Sequence, residues 1–363
     1  MPPETQERPV AARNAYNARP TVRVDGQALT IVDDLLRSCT VSEAEGGMSS
    51  LALGLSNWAP VDGSLGLAFD AGGPIALGTR LQVYAGDTSA PREIFDGKVH
   101  AIEASASVGA PPGLLLLAED KLFAARMARR TALYERKSIE ELVREIAGRH
   151  GLIADPSGLP DTPQLWVQYD ESDLSFLRRA LGRSDCDMQL IGSQLQVRRS
   201  ADIDRGTIEL QLYSQLREVR VIADLSEQVT TITAGGFDAQ AGNGYSASSQ
   251  GAQPGPGSGR SAAALLNAIA TRSEHLGALP CLNQEEAQAL ADSAFDQRAR
   301  RFVRVHGSTE GNAELRVGAR VRLRGVGRRF DNCYAVVEAR HRYDQTGGYT
   351  TDFVAQSAFL AEA

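Results

Sequence analysis

This chain writes one β-element twice. Around Gly78 it reads Leu77-Gly78-Thr79-Arg80-Leu81-Gln82-Val83, followed by Phe95-Asp96 and, seven residues on, Glu103-Ala104. Around Gly318 it reads Val317-Gly318-Ala319-Arg320-Val321-Arg322-Leu323, followed by Phe330-Asp331 and, again seven residues on, Glu338-Ala339. The elements keep their order, and only the loop between glycine and phenylalanine changes length, as loops do. A fainter echo links Leu36-Arg37 and Leu216-Arg217, each followed by two strand-like runs. Two similar β-folds side by side in one chain let an oligomer present twice as many similar surfaces as it has subunits. The repeat points to assembly before it points to chemistry.

The 363 residues suffice for about two or three domains. A net charge of -7 argues against a dedicated nucleic-acid binder or a binder of anionic membranes, which carry a basic excess. Cys39, Cys186, Cys281 and Cys333 are scattered without a C-x-x-C pair and read as free, partly buried thiols of a reducing compartment. The start, Met1-Pro2-Pro3-Glu4, opens no apolar signal segment, and no run reaches the ~20 apolar residues that span a bilayer. The expectation is synthesis in the cytoplasm and no membrane insertion.

Residues 1–19 read as a flexible arm, and residues 20–130 as many short strands punctuated by glycine, a small barrel. At Ser138 the period changes. Ser138-Ile139-Glu140-Glu141 is a capping box opening a helix with Ile139, Leu142, Val143 and Ile146 on one face. A second helix is expected from Ser172, and Met188 to Arg198 reads as a hairpin turning at Gly192-Ser193. Residues 131–199 therefore form an α+β insertion. The stretches 200–237 and 303–363 read as a second barrel, interrupted by a flexible Gly/Ser/Pro loop at 238–260 and a helical segment at 261–302, whose second helix opens at Asn283. The fold class expected is α+β, predominantly β, with two similar small β-barrel domains, an α+β insertion and a helical excursion.

The search for chemistry yields no catalytic, cofactor-binding or metal-binding residue. Asp62-Gly63-Ser64-Leu65-Gly66 lacks the first glycine of a nucleophile elbow, and Gly255-Pro256-Gly257-Ser258-Gly259 lacks both a leading strand and a Lys-Ser/Thr. The histidines 100, 150, 275, 306 and 341 form no zinc-like spacing; two soft ligands, such as His275 with Cys281 or Cys333 with His341, make no site. Glu140-Glu141 and Asp170 to Asp173 lie at expected helix N-termini, where carboxylates complement the dipole. Asp185 and Asp187 complete the acidic clusters. Arg320, Arg322 and Arg324 share one strand face without interleaved aromatics, so a solvated or subunit-contacting face is expected rather than a nucleic-acid groove.

Residues 168–179, with Tyr169, Glu171-Ser172-Asp173 and Phe176-Leu177-Arg178-Arg179, resemble the "Y-x-E-S-D-x-x-F-L-R-R" signature of phage late control protein D and of the hub portion of VgrG spike proteins. Val317-Gly318, Tyr334, His341, Tyr343 and Gly347-Gly348-Tyr349-Thr350-Thr351 resemble the end of that hub region. The resemblance runs from about residue 20 to the end. It implies a structural, non-enzymatic baseplate hub of a contractile injection system, whether a phage tail, a type VI-like system or an extracellular device. It also implies a homotrimer whose two barrels per subunit make a pseudo-sixfold ring between the tail tube, or a tube-initiator protein, and a central spike. Other baseplate proteins are expected neighbours, and no cofactor or specific nucleic acid is. Because the sequence stops at Ala363, a separate spike protein is expected. The alternatives are a delivered cell-wall hydrolase, which needs a catalytic constellation, and a carbohydrate-binding tail-tip module, which needs more aromatics than 6%.

Overall fold

The computed structural model describes residues 16–61, 63–70, 73–87, 90–238, 242–277 and 283–361. Most of the expected arm (1–15), residues 239–241 of the expected loop, and Cys281 lie outside the described residues.

A first strand set comprises β1 (Tyr16–Val24), β2 (Leu36–Ala44), β3 (Ser49–Ser56), β4 (Arg80–Asp87), β5 (Arg92–Ser107) and β6 (Ala110–Asp120). Alternation drives it: Cys39 and Val41 of β2, Leu51, Leu53 and Leu55 of β3, and Leu81 and Val83 of β4 all turn inward into one core. Each fully buried aliphatic side chain there stabilises the fold by roughly 1.5–3 kcal/mol.

The insertion follows as β7 (Arg129–Lys137), α1 (Ile139–Arg149), β8 (Ile153–Pro156), β9 (Gln164–Ser172), α2 (Asp173–Arg183), β10 (Cys186–Ile191) and β11 (Gln194–Arg199). The Ser138 box forms as read: the Glu141 N–H donates to Ser138 Oγ and the Ser138 N–H donates to Glu141 Oε2. Leu142, Val143 and Ile146 of α1 then meet Leu174, Phe176, Leu177 and Leu181 of α2 in a separate core.

The remainder is β12 (Thr207–Gln211), β13 (Leu216–Ala223), β14 (Thr231–Asp238), β15 (Asn243–Ser249), α3 (Gln284–Arg300), β16 (Val303–Glu310), β17 (Arg320–Arg324), β18 (Cys333–Asp344) and β19 (Gly348–Ser357). Here the structure departs from expectation. Asn243–Ser249 is a strand paired antiparallel to β14, and Ser273–His275 adds a parallel third strand, so the expected loop and helical segment form a small sheet backed by α3. Ile232, Ala234 and Ala247 pack on Ala287, Leu290, Ala291 and Phe295. The Gly/Pro stretch beyond β15 is tied down too. Asp296 accepts from the Ala252 and Gln253 N–H groups at 3.0 and 2.8 Å, and the Ser258 N–H and carbonyl bond Asn332. The first excursion helix is short, Ala262–Asn267.

The described strands close no barrel. Both sets join one 13-stranded sheet in the order β13-β16-β19-β18-β2-β3-β6-β5-β4-β1, with Gln27–Ala28 at its end and β12 and β17 branching from β18. The sets are fused because β2 takes β18 on its second edge, from Ala44↔Glu338 to Ser38↔Asp344. The protein is thus mostly β, with a large sheet that is antiparallel except for β12–β17.

Register shows how deep the repetition goes. The first set runs β1-β4-β5-β6-β3-β2 and the second β12-β17-β18-β19-β16-β13, the same strands in the same chain order. Gly78 and Gly318 both hold positive φ (88° and 86°), where a side chain is strained. Their N–H groups donate to Val99 and Val336, whose own N–H groups return to Thr79 and Ala319. Beyond these valines both strands bulge, between Val99 and Ala101 and between Val336 and Glu338. Both sets also slip just after Leu36 and Leu216, so the faint Leu-Arg echo marks equivalent positions. The Phe-Asp match does not. Phe95 pairs with Val83 inside β5, whereas Phe330 lies in the turn before β18. Register equates Phe95 with Asn332, two residues away.

Candidate functional site

The fused edge between β2 and β18 is the most unusual environment in the molecule, and its residues come from both sets. Glu43 of β2 is buried against Ala339, and its carboxylate pairs with the Arg316 guanidinium, which also donates to the Glu93 carbonyl at 3.0 Å. Burial alone pushes the Glu43 carboxyl up, but Arg316, assisted by Arg205, holds it below its ordinary range. Two residues along β18, buried His341 has Tyr349 Oη at 2.9 Å and Thr351 Oγ1 at 3.2 Å from Nδ1. Burial pushes its pKa down to about 4, so the imidazole is neutral at pH 7. Thr351 Oγ1 in turn accepts the Asn312 N–H. The His-x-Tyr and Gly-Gly-Tyr-x-Thr segments therefore pack the seam.

The other motif resolves likewise. Residues 168–172 finish β9 and Asp173 starts α2, capped by Ser172 Oγ accepting the Ser175 N–H. Asp173 is buried beside Arg149 (2.9 Å), His150 (2.8 Å), Arg130 (3.0 Å) and Gln168 (2.9 Å). Burial pushes its carboxyl up, but hydrogen bonds from Gln168, His150 and Arg149 hold it below the ordinary range. Arg178 donates to the Gly46 carbonyl, clamping the insertion to the β2–β3 turn.

The remaining candidates are spread out. Among the described residues no group of three His, Cys, Asp or Glu could hold a metal ion. His100 stacks on Phe123 and His275 bonds Thr233, while Cys333 and His341 lie about 26 Å apart along β18 at roughly 3.3 Å per residue. Burial pushes the Cys39 and Cys186 thiols up to about 12. Glu140 pairs with Arg144, Asp185 with Arg300, and Asp187 accepts the Gly46 N–H. Arg320, Arg322 and Arg324 do share the outward face of β17, opposite buried Val321 and Leu323; Arg320 pairs with Asp204 and Arg324 with Glu209. An open groove of about 660 Å3 crosses the seam, lined among others by Ser42, Arg220, His306, Arg340 and Asp352. It offers mixed charge without a nucleophile and base in contact. No described helix is long and apolar enough to cross a membrane.

The missed features are the seam ion pair, whose partners stand far apart in sequence, and β15, whose small residues read as loop.

No curated protein matches the chain in sequence. Solved structures do. The 43 kDa tail protein of prophage MuSo2 from Shewanella oneidensis aligns with TM-score 0.67 and 11% identity over 93% of this chain and 97% of its own. A tail protein of Neisseria meningitidis gives 0.65 and 12% over 93% and 96%. The E. coli c3393 protein, described as a type VI secretion component structurally similar to the T4 tail proteins gp27 and gp5, gives 0.61 and 11% over 94% and 79%. The fold is that of phage tail and baseplate hub proteins, as the two motifs imply. A family model spanning residues 72–345 matches as well, and by it the chain belongs to the Alg8 N-terminal domain family.

Proposed function

We propose that this chain is the structural hub of a contractile injection baseplate, a homotrimer whose two strand sets per subunit make a pseudo-sixfold ring joining the tail tube to a separate central spike. The observation that carries this reading is the shared register of the two sets: one chain supplies two near-equivalent wall segments, and three chains supply six. Residues 20–130 form one tube-like unit, 200–237 with 303–363 the other, and 131–199 an inserted domain. Buried charges spent on packing, as at Glu43 and Asp173, fit a structural rather than enzymatic role. The hub is made in the cytoplasm and assembled into a phage tail, type VI-like or extracellular particle with its tube, spike and other baseplate proteins. Native mass spectrometry of the purified chain, alone and with its tube and spike partners, tests this. Three copies are expected, and a monomer under every condition would sink the proposal.

A further inference from the structure

The two sets differ in one respect that matters for assembly. In the second set, β18 keeps β17 on one flank up to Ala335, and beyond the bulge that flank is filled by β2. In the first set, β5 keeps β4 up to Lys98, and beyond the same bulge no strand among the described residues takes that flank. Ile102 to Ser107 are all exposed. The counterpart of β2 is β13, which among the described residues pairs with β16 and, at Leu216 alone, bridges Leu212; beyond Leu216 its outer edge ends the sheet. A long unpaired edge is a template for another strand, and here a single chain carries both halves of the same joint, unmade.

We propose that the β5 edge of one copy pairs antiparallel with the β13 edge of the next, repeating the β2–β18 joint between subunits. The internal joint fixes the register. With Val336 matched to Val99 and Leu216 to Leu36, the pairs Ala339↔Glu43, Arg340↔Ser42, His341↔Val41 and Arg342↔Thr40 become Ile102↔Ala223, Glu103↔Ile222, Ala104↔Val221 and Ser105↔Arg220. Side chains sort by face in that register and in no register slipped by one. Ile102, Ala104 and Ala106 meet Ala223, Val221 and Val219, an apolar strip without a charge, while on the other face, polar apart from Ile222, Glu103 and Arg220 become diagonal neighbours.

The seam ion pair has a counterpart as well. The turn hydrogen bond from Ala319 to Arg316 is repeated from Thr79 to Ala76. Arg316 therefore corresponds to Ala76, and Glu43 to Ala223. Both members of the pair are alanine at the unmade joint, so closing it desolvates no charge on the apolar strip. Such a contact is head-to-tail and closes into a ring when its rotation does. The inference rests on the ring reading for the number of copies, and adds which edges meet and in what register.

Cysteine pairing in the full chain tests it. Ala104→Cys and Val221→Cys, placed in separate chains and mixed under mild oxidant, should give a disulfide-linked dimer, and placed in one chain should give covalent trimers. Ala104→Cys with Ile222→Cys, a slip of one residue, should give at most about a tenth as much product, and the wild-type chain none. Trimers by native mass without the Ala104–Val221 link, or with equal linking in the slipped pair, would overturn the edge assignment and leave the ring reading standing. A chain that neither assembles nor links, even with its tube and spike partners present, would overturn both.

Discussion

The made joint and its unmade twin use one backbone arrangement and opposite side chains. Between β2 and β18 the inward positions hold Glu43, His341 and Tyr343, with Arg316 reaching in to neutralise the acid. At the matching positions the free edges of β5 and β13 hold Ala223, Ala104, Ala106 and, for Arg316, Ala76. A joint formed once, during folding, can bury a charge because its partner is covalently at hand. An edge that stays in water and closes later gains from small apolar residues that carry no desolvation cost. The difference separates a folding seam from an assembly seam.

The largest expected effect breaks the made joint. Arg316→Ala leaves the Glu43 carboxylate buried without its cation and should cost about 3–5 kcal/mol in urea unfolding. Glu43→Ala with Arg316→Ala copies the unmade joint and should cost clearly less than Arg316→Ala alone. A double variant no better than the single would show that the two joints are not interchangeable solutions.

Next comes pH, which should act on the made joint, since the counterpart of His341 is Ala104. Below pH 6.5 the unfolded chain protonates His341, while the folded chain resists until about pH 4. This group therefore withdraws stability as pH falls from about 6.5 to about 4, on the order of 3 kcal/mol in full. Asp120 acts oppositely. Burial pushes its carboxyl up to about 7, so the folded chain keeps a proton the unfolded chain has released, and stability falls as pH rises from the ordinary carboxylate range to about 7. Comparing wild type with His341→Gln isolates the histidine: their stability difference should be flat above pH 7 and shift against the wild type below 6.5. A difference flat down to pH 4.5 contradicts a buried neutral imidazole.

A smaller effect tests the matched cores. Leu53 faces Leu116 in the first set, and at the same positions Gly307 faces Phe353 in the second. A Cβ on Gly307 would lie 2.4 Å from the Phe353 ring. Gly307→Ala should cost about 1–3 kcal/mol by overpacking, and adding Phe353→Leu should recover most of it in thermal melts. If the second change adds to the loss, the two cores do not share a layout.

The smallest effect on the folded chain should be the largest on assembly. Ala223→Glu lies on an exposed edge and should change monomer stability by less than about 0.5 kcal/mol, yet weaken association measured by sedimentation at least tenfold. Adding Ala76→Arg, which rebuilds the ion pair across the joint, should restore association. Unaltered association in the single variant would count against Ala223 facing a neighbour.

Much of this was legible in the sequence, and the failures are instructive. The Gly78 and Gly318 match survives because a left-handed turn residue before a strand leaves few alternatives. The Phe95 and Phe330 match fails because equal spacing along the chain says nothing about which residue lies opposite which, and pairing places them two residues out of step. Tyr245, Ala247 and Ser249 of β15 were hidden by composition: glycine and serine suggested a chain too polar to order, but β14 beside it and Asp296 and Asn332 beyond supply its hydrogen bonds. The parallel pairing of β12 with β17, where β1 and β4 are antiparallel, leaves no local trace. Nor does the free edge of β5, which is visible only once its neighbours are known. The late control signature predicts the fold that the solved tail proteins share, and its side chains build a strand-to-helix joint.

The most direct test is an electron cryo-microscopy map of the assembled hub. The account predicts six strand sets around one ring, with β2–β18 joints alternating with β5–β13 joints between copies, and Ala104 opposite Val221 of the neighbour. A map in which the β5 and β13 edges face solvent, or meet a different protein, would contradict it.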